Sequence, residues 1–364
     1  MFEKFFFTEK RIQQISKKER YDPTLIEKLI YAFELLGKLA EKDIRFIFKG
    51  GTSMILILKG KFSRLSVDLD IILLDESVNL PQIFNELIKE APFTRWVEDI
   101  RQKQNREYLR HYKFYYESVI NKREEPVLID ILFLSKNPYI KTINKIISVD
   151  FLKVEEDINI FLPSFEDLFA DKLTAFAPQT IGIQYHKGKS TEIIKQLFDL
   201  GKLFHHINDL DLLKKSYKNL SDIEALLRGY KPDFKKFLED SFLTAFLICQ
   251  LDFRDSISDA RTKELKDGIR RIKNFVKDGK YSLLSAKEDA SKIAFVISIL
   301  RNDLSIDIKN FIAENLQTPF LLHKPLKRWK ILNKLRKISP SSFYLWQIIE
   351  EWEESERHRN DAKF

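Results

Sequence analysis

The stretch from Phe46 to Leu74, FIFKGGTSMILILKGKFSRLSVDLDIILL, reads as strand, turn, helix and strand, and the rest of the chain is interpreted around it. Phe46 to Lys49 carry the apolar or long-stemmed side chains of a covered strand. Gly50-Gly51 then lets the backbone turn tightly and come close to a ligand. Thr52 and Ser53 open a short helix, predicted over Ser53 to Leu58. Its first amides lack intrahelical partners and carry the positive end of the helix dipole, so a phosphate is expected there with the Thr52 or Ser53 hydroxyl beside it. A basic loop (Lys59, Lys61, Arg64) leads to the run Val67 to Leu74, which alternates at first and then becomes wholly apolar, as a strand in a covered sheet does.

Asp68 and Asp70 fall on that strand two residues apart, so both carboxylates project together while Val67, Leu69 and Ile71 face the core. Two anions this close repel each other, and a cation between them relieves the repulsion. The pair therefore reads as ligands for a hard divalent ion such as Mg2+ or Mn2+. A third acid, Asp130, interrupts the otherwise apolar strand Val127 to Leu134, VLIDILFL. An unpaired buried carboxylate is costly, and placing Asp130 beside Asp68 and Asp70 with metal among them removes that cost. Three carboxylates so arranged are what two-metal phosphoryl transfer requires. A P-loop is excluded, because Gly60-Lys61 is followed by Phe62 and no glycine stands five residues before Gly60.

At these residues the sequence resembles a known family. Gly50-Gly51-Thr52, then fifteen residues, then Asp68-Leu69-Asp70 looks like the signature of the polymerase-beta-like nucleotidyltransferases. KGGTS followed by FSRLSVDLDI is similar to the AbiEii/AbiGii-type nucleotidyltransferase toxins of toxin–antitoxin and phage-defence systems. The resemblance implies an α+β chain. A nucleotidyltransferase domain over residues 1–162, a mixed sheet with flanking helices, is followed by a mainly α-helical domain over 163–364 that includes nucleotide-site helices over 164–205. It makes Asp68, Asp70 and Asp130 the metal ligands, and Gly50, Gly51, Thr52 and Ser53 the triphosphate site. Ser66 faces the same side of the strand as Asp68 and is expected to touch substrate.

Two later segments extend the resemblance. EDLFADKLTAFAPQTIG, from Glu166 to Gly182, looks like the family's second block, whose lysine serves the nucleotide; that residue here is Lys172. By composition alone, Lys172 reads either as an ammonium neutralising triphosphate or as a surface lysine paired with Asp171 or a neighbouring turn. IIKQLFDL, from Ile193 to Leu200, resembles the third block, a basic residue followed by D-L-Y-D-L. Gln196 replaces its first acid and Phe198 its tyrosine, while Asp199 keeps the acid used near the active site. Without the resemblance, Lys195 and Asp199 would be a routine exposed pair at i and i+4.

The activity implied is Mg2+-dependent transfer of NMP from an NTP to an acceptor hydroxyl. The expected acceptor is RNA, at the 3′ end of tRNA, and the toxin is expected to be countered by an antitoxin encoded beside it. Two alternatives stand next to it: transfer to a protein or small molecule, and a catalytically silent nucleic-acid or partner-binding module on the same fold. Retention of three mutually repelling acids weighs against the silent module.

Composition sets the remaining bounds. The chain has 364 residues, 44% hydrophobic and 32% charged, with 30 Phe, an ordinary globular balance rich in aromatics. No run reaches the roughly 18 apolar residues of a membrane span. The longest apolar candidate, Phe242 to Cys249, reads as a core helix. One cysteine, Cys249, excludes an intramolecular disulfide, and with no secretion signal read at the N-terminus the cytoplasm is the expected compartment. A net charge of +8 and a pI near 9.1 favour a polyanionic partner.

Residues 1–43 read as helical, with Asp22-Pro23 as N-cap and first helical residue. Pro81 to Glu90 reads as a helix, and Val149 to Leu162 is expected to contain a strand. Between Trp96 and Ile120, the residues Tyr108, Tyr112, Phe114 and Tyr116 are interleaved with Arg101, Lys103, Arg106, Arg110, His111 and Lys113. This is either a nucleic-acid edge of stacking aromatics and phosphate-binding bases or a solvated sheet face with core tyrosines. Asn121 to Pro126 reads as a turn. The basic segment His323 to Lys337, which contains Trp329, either binds RNA phosphates or is a helical face whose Leu326, Ile331, Leu332 and Leu335 pack inward. Glu350 to Phe364 is expected to fray.

Overall fold

The computed structural model describes residues 2–42, 44–59, 64–90, 92–100, 108–152, 157–315 and 324–361. Of the positions singled out above, Gly60, Lys61, Phe62, Arg101, Lys103, Arg106, His323 and Phe364 lie outside the described residues. The chain divides into two compact units. The first comprises Met1–Ser164 with Phe275–Lys280, and the second Phe165–Asn274 with Tyr281–Phe364.

The first unit is built on a seven-stranded mixed sheet: β1 (Phe46–Lys49), β2 (Leu69–Leu73), β3 (Arg95–Glu98), β4 (Leu109–Glu117), β5 (Glu124–Phe133), β6 (Thr142–Ile146) and β7 (Asn159–Pro163). Their order across the sheet is β3-β4-β5-β2-β1-β7-β6. β2 runs parallel to β5 and β1 parallel to β7, and the other neighbours are antiparallel. Its helices are α1 (Glu9–Glu19), α2 (Pro23–Ala40), α3 (Gly50–Leu58) and α4 (Leu80–Glu90).

α2 starts where Asp22-Pro23 predicts. The Asp22 carboxylate accepts from the Thr24 amide at 2.8 Å, and Pro23, which has no amide proton to satisfy, occupies the first turn. α2 and α4 cover one face of the sheet through aromatic contacts. Tyr31 stacks on Tyr116 with ring centroids 3.6 Å apart, and Phe84 meets both Tyr112 and Phe114 edge-on at 5.0 Å. Pairs of this kind contribute about 0.5–1.5 kcal/mol each beyond their area. Tyr112, Phe114 and Tyr116 are therefore core residues. Of the two readings of that segment, core aromatics hold for Tyr112, Phe114 and Tyr116, which cannot stack on bases, while Tyr108 is exposed.

Two further expectations change. The turn over Asn121–Pro126 ends sooner, since β5 already begins at Glu124. The turn is tied down by Glu27 of α2, fully buried, whose carboxylate accepts from Ser118 Oγ at 2.6 Å and the Val119 amide at 2.7 Å. β6 has no counterpart among the expected strands, because Thr-Ile-Asn-Lys-Ile lacks a buried alternating face. It is an edge strand paired with β7 alone.

The second unit is helical: α5 (Phe165–Ala175), α6 (Ser190–Leu203), α7 (Leu210–Leu227), α8 (Phe234–Gln250), α9 (Ala260–Arg271), α10 (Leu283–Arg301), α11 (Ile308–Asn315), α12 (Leu335–Ile338) and α13 (Pro340–Asp361). α10 is buried almost all round and packs on α6, α8 and α13, which is why its sequence shows little amphipathic contrast. The segment before α13 packs inward through Leu326, Trp329, Leu332 and Leu335, so Trp329 is no stacking platform for RNA. The expected fraying from Glu350 does not occur at that residue. Glu350 is buried and accepts from the Lys327 and Arg328 amides, and the helix runs to Asp361. Among the described residues, no helix is long and apolar enough to cross a membrane.

Candidate active site

β1 passes straight into α3, which begins at Gly50, earlier than the predicted Ser53. Gly50 has φ +79°, a left-handed conformation that a side chain disfavours. A β-carbon added there would also collide with the Asp70 carboxylate, so the glycine makes room for that acid. Gly51 sits against the residues that precede β2: a β-carbon on it would lie 2.7 Å from Ser66 Oγ and 3.0 Å from Arg64 Nη2. Arg64, assigned from sequence only to a basic loop, is only 3% exposed. It is anchored from a distant part of the chain, by a bridge to Val276, while Leu65 N donates to the Phe275 carbonyl at 3.1 Å.

The hydroxyls of the turn are committed locally. Thr52 Oγ1 donates to the Asp68 carbonyl at 2.6 Å and Ser53 Oγ to the Gly50 carbonyl at 2.9 Å, and both residues are fully buried. The Thr52 bond locks the start of α3 onto the residue just ahead of β2. The first-turn amides of α3 remain the groups without helical carbonyl partners.

Across the sheet, one row of side chains gathers four charged or titratable residues. Asp70 of β2 is in register with Asp130 of β5, Asp130 with His111 of β4, and Asp70 with Lys49 of β1. Residues paired across a ladder project from the same face, so Lys49, Asp70, Asp130 and His111 form a line across four strands on the face opposite the aromatic core. His111 Nδ1 lies 2.7 Å from Asp130 Oδ1. His111 is nearly buried, whereas the Asp130 side chain is 33% exposed. Asp130 is thus neither unpaired nor deeply buried, as the apolar run VLIDILFL suggested; half of its strand lies on the open face. In the sequence His111 stands only among scattered basic residues. The signal that could have found it is its place on the face of β4 opposite Tyr112, Phe114 and Tyr116.

Asp68 stands apart. The strand expected from Val67 begins at Leu69, and Asp68 lies just ahead of it, exposed. Among the described residues, no three His, Cys, Asp or Glu side chains converge closely enough to hold an ion by themselves. The donor set nevertheless fits a hard divalent cation. Mg2+ is commonly held by one or two carboxylates while waters and substrate phosphates complete its shell. Asp70 and Asp130 supply two oxygen donors on neighbouring strands, with the Asp70 carboxylate packed against Gly50.

In the second unit, Lys172 of α5 and Asp199 of α6 form an ion pair with Nζ 3.0 Å from Oδ2, and their side chains are 5% and 0% exposed. Lys172 is not the surface lysine that composition allowed, and Asp199 is not part of an exposed helical pair. Lys195 lies 3.6 Å from Glu192. Next to Asp199, Phe198 packs edge-on against Tyr281, whose hydroxyl donates to Asp289 at 3.0 Å. Burial pushes the Tyr281 phenol well up, with Asp289 and then Asp199 adding to the effect.

Solved structures similar to this chain include JHP933 and MenT4. JHP933 from Helicobacter pylori is similar at 15% identity, with 82% of this chain and 100% of that one covered and a TM-score of 0.43. MenT4, a nucleotidyltransferase toxin from Mycobacterium tuberculosis, is similar at 12% identity, with 92% and 97% covered and a TM-score of 0.49. No curated protein matches. The family described as nucleotidyl transferase AbiEii toxin, type IV TA system, matches residues 34–267, which take in β1, α3, the Asp70–Asp130 row and the Lys172–Asp199 pair. The chain belongs to this family of AbiEii nucleotidyl transferase toxins.

Proposed function

We propose that this toxin transfers NMP from an NTP to a hydroxyl of RNA, at the 3′ end of tRNA, with Mg2+ or Mn2+ as cofactor. The observation that supports this most is the register pairing of Asp70 with Asp130 beside the glycine-started helix α3. Asp70 and Asp130, with Asp68 at the mouth of β2, are the residues that would hold metal. When bound, such ions polarise the triphosphate and lower the pKa of the attacking hydroxyl. Amides of the Gly50-Gly51-Thr52-Ser53 turn bind phosphate oxygens at the positive end of α3, and Ser66 contacts the substrate. Lys172, held by Asp199, offsets charge on the departing pyrophosphate. The acceptor oxygen bonds to the α-phosphorus as the bridging oxygen to the β-phosphorus leaves. Catalysis then consists of in-line alignment and charge neutralisation, without a covalent enzyme nucleophile.

The net charge of +8 supports an RNA acceptor. Burial of Tyr112, Phe114 and Tyr116 removes one stacking surface that RNA would use, and this keeps a protein or small-molecule hydroxyl as the second reading.

The test is incorporation of each labelled NTP into total cellular RNA with Mg2+, comparing wild type with Asp70→Ala, Asp130→Ala and Lys172→Ala. Label in a tRNA-sized band with wild type alone is expected. Absence of label in RNA, with nucleotide and Mg2+ still raising the melting temperature, moves the acceptor to protein or small molecules. No stabilisation by any nucleotide points to the silent binding module.

A further inference from the structure

We propose that His111 is a positioning residue, which fixes the carboxylate of Asp130 so that one chosen oxygen is presented to the site. The inference rests on the reading of Asp130 as a metal ligand. An aspartate carboxylate turns freely about its last bond unless something holds it, since that torsion has a broad two-fold profile. Here the hold is specific. Nδ1 of His111 lies 2.7 Å from Oδ1 of Asp130. A carboxylate that ligates a metal only accepts hydrogen bonds, so on that reading Nδ1 of His111 is the donor. Among the described residues, no hydrogen bond or ion pair engages Oδ2. One oxygen is therefore tied, and the other is left to a ligand on the open face, where the side chain is one-third exposed.

The imidazole itself is well placed for holding and poorly placed for touching substrate. It is 5% exposed, and its strand pairs with β5 without interruption from Leu109 to Glu117, so the backbone that carries it cannot drift. Groups that orient a ligating carboxylate in this way change metal affinity without contacting the metal, and their loss typically costs about 10–100-fold.

The experiment is Mn2+ binding, read from the free-ion paramagnetic resonance signal in the presence of a non-hydrolysable NTP analogue. His111→Phe keeps a ring without a donor, and His111→Asn keeps a donor near the Nδ1 position without the ring. Each is compared with Asp130→Ala and with the His111→Phe/Asp130→Ala double variant, after melting shows each protein folded. His111→Phe should weaken Mn2+ about 10–100-fold. His111→Asn should stay close to wild type, and His111→Phe should change nothing further once Asp130 is alanine. Should His111→Phe fail to fold, His111→Leu makes the same comparison. Wild-type affinity in the donorless variant, alongside lost affinity in Asp130→Ala, overturns the role of His111 alone. An equal effect of His111→Phe in both Asp130 backgrounds also overturns it, since the histidine would then not act through Asp130. Unchanged affinity in Asp130→Ala overturns the metal-ligand reading itself, and the positioning role with it.

Discussion

Lys172 Nζ and Asp199 Oδ2 lie 3.0 Å apart with neither side chain appreciably open to solvent. A pair this buried behaves asymmetrically. Removing one partner of a buried pair typically costs about 3–5 kcal/mol, whereas replacing both by apolar groups of similar volume is often neutral. Asp199→Ala and Lys172→Ala should therefore each lower the urea midpoint strongly. Lys172→Met/Asp199→Leu should recover much of the loss while remaining inactive. Additive losses in the double variant would show that the two side chains do not stabilise each other.

The two glycines of the turn should respond differently to alanine. At Gly50 the backbone is left-handed and the new β-carbon strikes the Asp70 carboxylate, so strain of about 1–2 kcal/mol adds to a displaced acid. At Gly51 the backbone is not left-handed and the nearest contact, Ser66 Oγ, lies farther off at 2.7 Å. Gly50→Ala should abolish nucleotidyl transfer and lower the melting temperature, with Gly51→Ala milder in both. Comparable melting curves for Gly50→Ala and wild type would contradict the collision.

Asp68 is exposed and lies ahead of β2. Asp68→Asn should leave stability within about 0.5 kcal/mol of wild type, as for most surface substitutions. Activity in the labelled-NTP assay should nevertheless fall by orders of magnitude. Full activity in this variant would confine the functional acids to Asp70 and Asp130.

Lys287 of α10 gives a pH signature. It is buried, donates to the Cys249 and Leu251 carbonyls at 2.6 Å each, and burial pulls its ammonium down to about 8. Between that value and its ordinary 10.5, the unfolded chain binds the proton that the folded chain has released, so stability contributed by this site rises with pH. The full span is roughly 3 kcal/mol. Urea unfolding of wild type and Lys287→Met from about pH 7.5 to 10 should show the wild type gaining relative to the variant as pH climbs. A constant difference would mean that the lysine is not desolvated as the structure indicates.

Much of the first unit is legible from short windows of residues. Asp22-Pro23 marks the start of α2 because capping is local chemistry, and Phe46–Lys49 marks β1 because a buried strand must be apolar. Reading fails where solvent exposure decides the element. β6 has no buried face to leave a trace, and the aromatics of β4 look the same in sequence whether a helix or a nucleic acid covers them.

Local pattern suffices for the strand-turn-helix-strand unit, for the placement of Asp70 and Asp130 on strands, and for the helical second half. Periods of two and of about 3.6 residues and the chemistry of glycine are properties of neighbouring residues. Folding alone brings Asp70 and Asp130 into register, sets His111 against Asp130, leaves Asp68 off the strand, and buries Asp199 against Lys172. Most of these depend on segments far apart in the chain. Register between such segments is set by which faces the rest of the protein covers, which no window of neighbouring residues records.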